Sequence, residues 1–216
     1  MGTLKACLFD LDGVIVDTAK YHYLAWRRLA EELGFEFTVL RNEQLKGVSR
    51  MRSLEILLQI GDIHASKEQM EDMAARKNEW YVEYISHMTP EEVLPGAKAF
   101  LETVRQAKIK TALGSASKNA MMILNNVDLV DYFDVIIDGT KTSAAKPDPE
   151  VFLLCASELG VNAEDCVVFE DAQAGVEAAR RAAMHCIGIG SETTLAKADF
   201  VVASLADVSL DRLTFA

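Results

Sequence analysis

The chain has 216 residues, 50% hydrophobic and 25% charged, with a formal net charge of −11. That length allows one or two domains with a sizeable core. The acidic balance argues against broad nucleic-acid or anionic-membrane binding, which needs a basic surface. The four cysteines, Cys7, Cys155, Cys166 and Cys186, lack CxxC spacing, and the four histidines are scattered. Buried free thiols in a reducing compartment are expected rather than disulfides or a zinc site. No apolar run reaches about eighteen residues, the length of a membrane span. Asp10 and Asp12 interrupt any secretory apolar core at the N-terminus, so a cytoplasmic location is expected.

In chain order, Lys5 to Asp10 reads as a buried strand, and Gly13 marks a turn. Thr18 can cap a helix that runs to Gly34, on which Thr18, His22 and Trp26 recur at i, i+4 and i+8 and so share one stripe. Leu45 to Ser53 is a small basic loop that leads into another helix. Ser66-Lys67-Glu68-Gln69 opens a long helix as a capping box. On that helix Lys77 lies on an otherwise apolar and aromatic face with Met73, Tyr81 and Tyr84. Such a lysine either snorkels to solvent or points into a cleft.

After Thr89-Pro90 the pattern changes to alternating helix and strand. Strands are expected at Lys110–Ser115, Val135–Asp138, Cys166–Asp171, Cys186–Ile189 and Phe200–Val202, with helices between most of them. Gly188-x-Gly190 lacks the third glycine of a dinucleotide fingerprint and reads as a turn. The alternation implies an α/β fold with a doubly wound parallel sheet, Rossmann-like in its core. Residues 1–16 and 89–216 would form that core, and 17–88 an inserted α-helical cap over the crevice at the strand ends.

Ligands bind such sheets at the carboxyl ends of the strands. Asp10 and Asp12, Ser115, and Glu170 with Asp171 all fall at strand ends, and Lys146 follows the third strand. Asp10 and Asp12, two residues apart, leave the strand on one face. A strand running into an acidic turn would explain that pair alone, but the conjunction of four loops favours chemistry. Asp10, Asp12, Glu170 and Asp171 offer hard oxygen ligands of the kind that suit Mg²⁺. Lys146 can neutralise phosphoryl oxygens, and Ser115 with the helix start behind it can hold an anion. Asp10 could attack phosphorus as a nucleophile, and Asp12 could handle the proton on the substrate oxygen.

Phe9-Asp10-Leu11-Asp12-Gly13-Val14, Ser115, Lys146-Pro147 and Glu170-Asp171 resemble the four motifs of the haloacid dehalogenase-like phosphotransferases. Asp17-Thr18, Tyr21-His22, Ala25-Trp26, Asn42 to Arg50, Arg76-Lys77-Asn78, Ser115 to Asn119 and Glu170 to Gly175 look like the β-phosphoglucomutase branch of that family. The resemblance implies a Mg²⁺-dependent exchange between β-glucose 1-phosphate and β-glucose 6-phosphate through β-glucose 1,6-bisphosphate. It makes Asp10 the phosphorylated nucleophile and Asp12 the general acid/base, with the Asp12 backbone carbonyl on the metal beside Glu170 and Asp171. Ser115 and Lys146 would hold the transferring phosphate. Arg50, Ser117, Lys118 and Asn119 would hold the other one. Gly47 and Val48 would offer backbone groups to the sugar, with Trp26 among the substrate-binding residues. Thr18 and His22 would position Asp12, and Lys77 would contact substrate. A monomer acting on a small sugar phosphate is expected, with no nucleic-acid or membrane partner. A sugar-phosphate phosphatase on the same scaffold is the alternative, and a phospho-accepting signalling module or a metal-dependent sugar-nucleotide transferase stands further off.

Overall fold

The computed structural model describes residues 4–45 and 50–213. The chain divides into two compact units, Met1–Asp17 with Met88–Ala216, and Thr18–His87. Among the described residues there are six strands and eight α-helices.

The first unit is built on a six-stranded sheet. Its strands are β1 (Ala6–Phe9), β2 (Lys110–Gly114), β3 (Val135–Ile137), β4 (Cys166–Glu170), β5 (His185–Ile189) and β6 (Phe200–Val202). Their order is β3-β2-β1-β4-β5-β6, and every pairing is parallel. β1 and the first four residues of β4 are continuous apolar runs because both faces of the sheet are covered. One face carries Leu8, Ala112, Val168 and Cys186 against helices α7 (Glu150–Leu159) and α8 (Gln173–Arg181). On the other, Phe9 stacks on Phe169 at 4.8 Å, and both meet Phe100 of α5 (Ala97–Gln106) edge-on. The chain moves outward from β1 to β2 and β3, then returns to β4 on the opposite side. The strand order therefore reverses between β1 and β4, the place where doubly wound sheets open a crevice.

The second unit is helical, with α1 (Ala19–Glu32), α2 (Val39–Asn42), α3 (Arg50–Ile60) and α4 (Lys67–Ile85). Trp26, Leu29 and Ala30 of α1 pack with Leu54, Leu57 and Leu58 of α3 and Ala74 of α4. The capping box at Ser66 and Gln69 forms as its spacing implies. Thr18 occupies the N-cap of α1 in helical geometry and makes no side-chain cap bond. Gly34 takes φ +87°, a conformation that costs glycine little and so ends α1. α6 (Ala120–Asn126) begins five residues beyond Ser115, after a turn rather than directly on it. Gly188 lies inside β5, where a Cβ would stand 3.0 Å from Leu195 and Val201, so the turn begins only after it. All four cysteines are free and buried. No helix among the described residues is long and apolar enough to cross a membrane.

Candidate active site

Phe9 pairs with Phe169, so Asp10 and Glu170 leave neighbouring strands side by side. The Asp10 N–H donates to the Phe169 carbonyl at 3.0 Å and carries the ladder one residue further. Lys146 reaches across from the loop before α7. Its Nζ donates to Asp10 Oδ1 at 2.5 Å and to Glu170 Oε1 at 2.6 Å. Glu170 Oε2 accepts the Ala172 N–H at 2.9 Å. The three charged side chains are 11% or less exposed, so water screens their attraction little.

Burial works against the Lys146 ammonium, but the charges of Asp10 and Glu170 outweigh it and raise the Lys146 pKa. Burial also raises Glu170, with Asp10 reinforcing and Lys146 opposing. Asp171 is pushed up to about 7 by dehydration and by Glu170, Asp10 and Asp12. Carboxylate oxygens of Asp10, Glu170 and Asp171 lie within 4.8 Å of one another. Three acids against one ammonium leave excess negative charge, which a hard divalent cation with oxygen preference complements. These residues therefore fit a divalent metal. The Asp12 carboxylate is not among the three.

Two glycines make room for this cluster. Gly13, at φ +76°, would place a Cβ 2.0 Å from Asp171 Oδ2, and Gly175 of α8 would place one 1.7 Å from Glu170 Oε1. Gly13 is visible in the sequence as a turn. Gly175 appears in the sequence only as the end of the Glu170-to-Gly175 run and carries no role there, although a glycine within a helix costs up to about 1 kcal/mol against alanine and so signals a packing reason. Asp12 sits in the turn after β1. There the Gly13 N–H donates to Val16 O, the Ile15 and Val16 N–H groups to Leu11 O, and the Leu94 N–H to Ile15 O. A cavity of about 530 Å³ opens beside Gly13 and Asp171, lined also by Asp17, Pro95, Ser191 and Thr194.

Ser115 is buried at the end of β2, its N–H donating to Ile137 O at 2.9 Å. Its hydroxyl accepts the Ser117 N–H, and the Ser117 hydroxyl accepts the Asn119 N–H. Two backbone donors that the sequence reading left for an anion are thus engaged in shaping the loop. Ser117 and Asn119 are half-buried, and Lys118 is exposed.

The helical unit gathers a second set. His22 Nδ1 lies 2.8 Å from Lys77 Nζ, and the His22 ring stacks on Tyr81 at 4.0 Å. The Tyr81 hydroxyl donates to Thr18 Oγ1 at 3.5 Å. Lys77 is only 2% exposed, with its ammonium 4.6 Å from the Trp26 ring. It therefore does not snorkel. Burial, then the Arg50 charge, push Lys77 down to about 7. Dehydration, Lys77 and Arg50 push His22 down to about 3. Both shifts favour the uncharged forms of this pair near neutral pH. Trp26 is buried, and its described polar neighbour is Lys77. Arg50 is exposed at the start of α3. Gly47 and Val48 lie outside the described residues.

The chain is similar to known proteins over nearly its full length. It is 41% identical over 212 residues to the β-phosphoglucomutase of Bacillus subtilis, covering 97% of this chain and 94% of the relative. It is 36% identical to a phosphorylated carbohydrates phosphatase of Thermotoga maritima, covering 85% and 84%. The crystal structure of a β-phosphoglucomutase from Clostridium difficile matches with a TM-score of 0.85 at 43% identity, covering 98% and 96%. The haloacid dehalogenase-like hydrolase family matches residues 4–183. With its acids and lysine meeting at the strand ends in that family's order, the chain belongs to the haloacid dehalogenase-like hydrolases.

Proposed function

We propose that the protein is a Mg²⁺-dependent β-phosphoglucomutase, interconverting β-glucose 1-phosphate and β-glucose 6-phosphate through β-glucose 1,6-bisphosphate. The observation that carries the phosphoryl-transfer reading is the Lys146 ammonium held between Asp10 and Glu170, with Asp171 completing an acidic trio. The full-length likeness to proteins named β-phosphoglucomutase supports the substrate.

Asp10 attacks the phosphorus of the bisphosphate, the bond from phosphorus to the sugar oxygen breaks, and Asp12 delivers a proton to that oxygen. With that product released, the phosphoaspartate gives its phosphoryl group to the free 6-hydroxyl of an incoming β-glucose 1-phosphate while Asp12 takes up that hydroxyl's proton, and the bisphosphate so formed turns over for the next attack by Asp10. When bound, Mg²⁺ neutralises charge on the phosphoryl oxygens, with Asp10, Glu170, Asp171 and the Asp12 carbonyl to hold it. Lys146 and Ser115 orient the transferring group. Arg50, Ser117, Lys118 and Asn119 hold the remote phosphate, while Gly47, Val48, Trp26 and Lys77 serve sugar binding. Thr18 and His22 orient Asp12, and the helical unit acts as the cap. The 2.8 Å contact between Lys77 Nζ and His22 Nδ1 supports the view that these two act as one unit.

The Thermotoga relative favours a second reading, a sugar-phosphate phosphatase. Phosphorus NMR on β-glucose 1-phosphate with Mg²⁺ and a trace of the bisphosphate separates the two. Accumulation of glucose 6-phosphate is expected. Stoichiometric release of inorganic phosphate instead would establish the phosphatase.

A further inference from the structure

Lys146 lies in a stretch from 138 to 149 that joins β3 to α7 without regular structure. Its ammonium must be presented to two carboxylates on other strands, so the loop needs anchors of its own. The first half has them at Asp138. The Asp138 Oδ1 accepts the Thr140 N–H at 2.9 Å and its hydroxyl at 2.5 Å, and the Gly139 N–H donates to Ser117 O at 3.1 Å. The second half is gathered by Glu150, the first residue of α7. Glu150 Oε2 accepts the Ala144 N–H at 2.6 Å and the Ser143 N–H at 2.9 Å. The Ser143 hydroxyl donates to Glu150 Oε1 at 2.9 Å. The Glu150 N–H donates to Asp148 Oδ1 at 3.0 Å, and the Asp148 N–H to Ala145 O at 3.0 Å.

We propose that Glu150 is a positioning residue: its carboxylate clamps Ser143 and Ala144 to the start of α7, so that Lys146 leaves the closed loop aimed at Asp10 and Glu170. The inference rests on the reading that Lys146 serves phosphoryl transfer. Without the clamp, Ser143 and Ala144 would lose their bonds to α7, and the conformational entropy of residues 141 to 145 would oppose the ion pairs of Lys146. The bonds from Ala144 and Ser143 also hold the Glu150 carboxyl below its ordinary pKa. An acid in the first turn of a helix is favourable in any case. The amide variant separates the two roles, since Glu150→Gln loses the charge but keeps an oxygen for both N–H groups and an NH₂ for the Ser143 hydroxyl.

The test compares the wild type with Glu150→Ala, Glu150→Gln, Lys146→Ala and the Lys146→Ala/Glu150→Ala double variant. Mg²⁺-dependent acetyl phosphate hydrolysis is followed, because it does not depend on which sugar phosphate is the substrate. Glu150→Ala should lower kcat by about ten- to a hundredfold with KM little changed, the scale of a displaced catalytic group. Glu150→Gln should stay within about threefold of wild type, and the double variant should be no slower than Lys146→Ala. Equal losses in Glu150→Ala and Glu150→Gln, wild-type kcat in Glu150→Ala, or multiplying losses in the double variant would overturn the proposal. The amide signal of Lys146 in proton–nitrogen NMR spectra gives a reading without turnover. It should move or broaden in Glu150→Ala and hold in Glu150→Gln, and an unmoved signal in Glu150→Ala counts against the clamp. A wild type that hydrolyses acetyl phosphate but leaves β-glucose 1-phosphate unisomerised refutes the mutase and leaves Glu150 to be judged by these comparisons.

Discussion

Replacing Gly175 by alanine tests how tightly the acidic cluster is packed. Gly175 lies in the first turn of α8 with ordinary helical φ. On propensity alone the substitution would stabilise the helix by about 0.8–1 kcal/mol. The added Cβ would instead fall 1.7 Å from Glu170 Oε1 and 1.9 Å from its carboxyl carbon. Glu170 is 1% exposed and bonded through both oxygens, to Lys146 and to the Ala172 N–H. It cannot swing aside without giving up at least one of those bonds. Disrupting one partner of a buried ion pair costs about 3–5 kcal/mol, so the net loss is roughly 2–4 kcal/mol after the helix gain. For a chain of this size that lowers Tm by roughly 4–16 °C. Mg²⁺ affinity should fall about tenfold or more, because Glu170 no longer holds its place in the cluster. Calorimetric unfolding and titration calorimetry with Mg²⁺ measure both effects. A Tm at or above wild type, with metal affinity within twofold, would refute the reasoning.

Asp10→Asn removes the nucleophile and should abolish turnover of β-glucose 1-phosphate while the fold survives; measurable mutase flux in a coupled assay would rule out the covalent route. Arg50→Ala should depress mutase flux at least about tenfold more than acetyl phosphate hydrolysis, since a charged hydrogen bond to the remote phosphate contributes about 1.5–3 kcal/mol. Equal losses in the two assays would count against a two-phosphate site. Lys77 predicts a pH dependence. Its folded pKa of about 7 lies below the ordinary lysine value, so between pH 7 and the ordinary value the unfolded chain binds more protons and stability rises with pH. Lys77→Met should therefore be more stable than wild type by on the order of a few kcal/mol near pH 6, with the gap closing towards pH 10. Urea unfolding at the two pH values checks this, and a gap independent of pH would refute it.

The parallel alternation, the helical insertion and the strand-end acids were legible from the chain alone, because they are local properties. Strand period, capping spacing and the two-residue offset of Asp10 and Asp12 depend on neighbours a few positions away. The capping box at Ser66 and the end of α1 at Gly34 were visible for the same reason. The bonding partners of Lys146 were not. Two carboxylates 136 and 24 residues distant become its ligands only when β1 and β4 pair. The Lys77 choice between solvent and interior was likewise open until α1 brought His22 and Trp26 against α4. Gly175 reads as a weak point in a helix until Glu170 is seen to fill the missing Cβ position. Asp10 and Asp12 could be recognised as a pair in the sequence. Only the tertiary structure separates their surroundings, because it buries Asp10 with Lys146 and Glu170, edged by the more exposed Asp171, while Asp12 lies in the turn after β1.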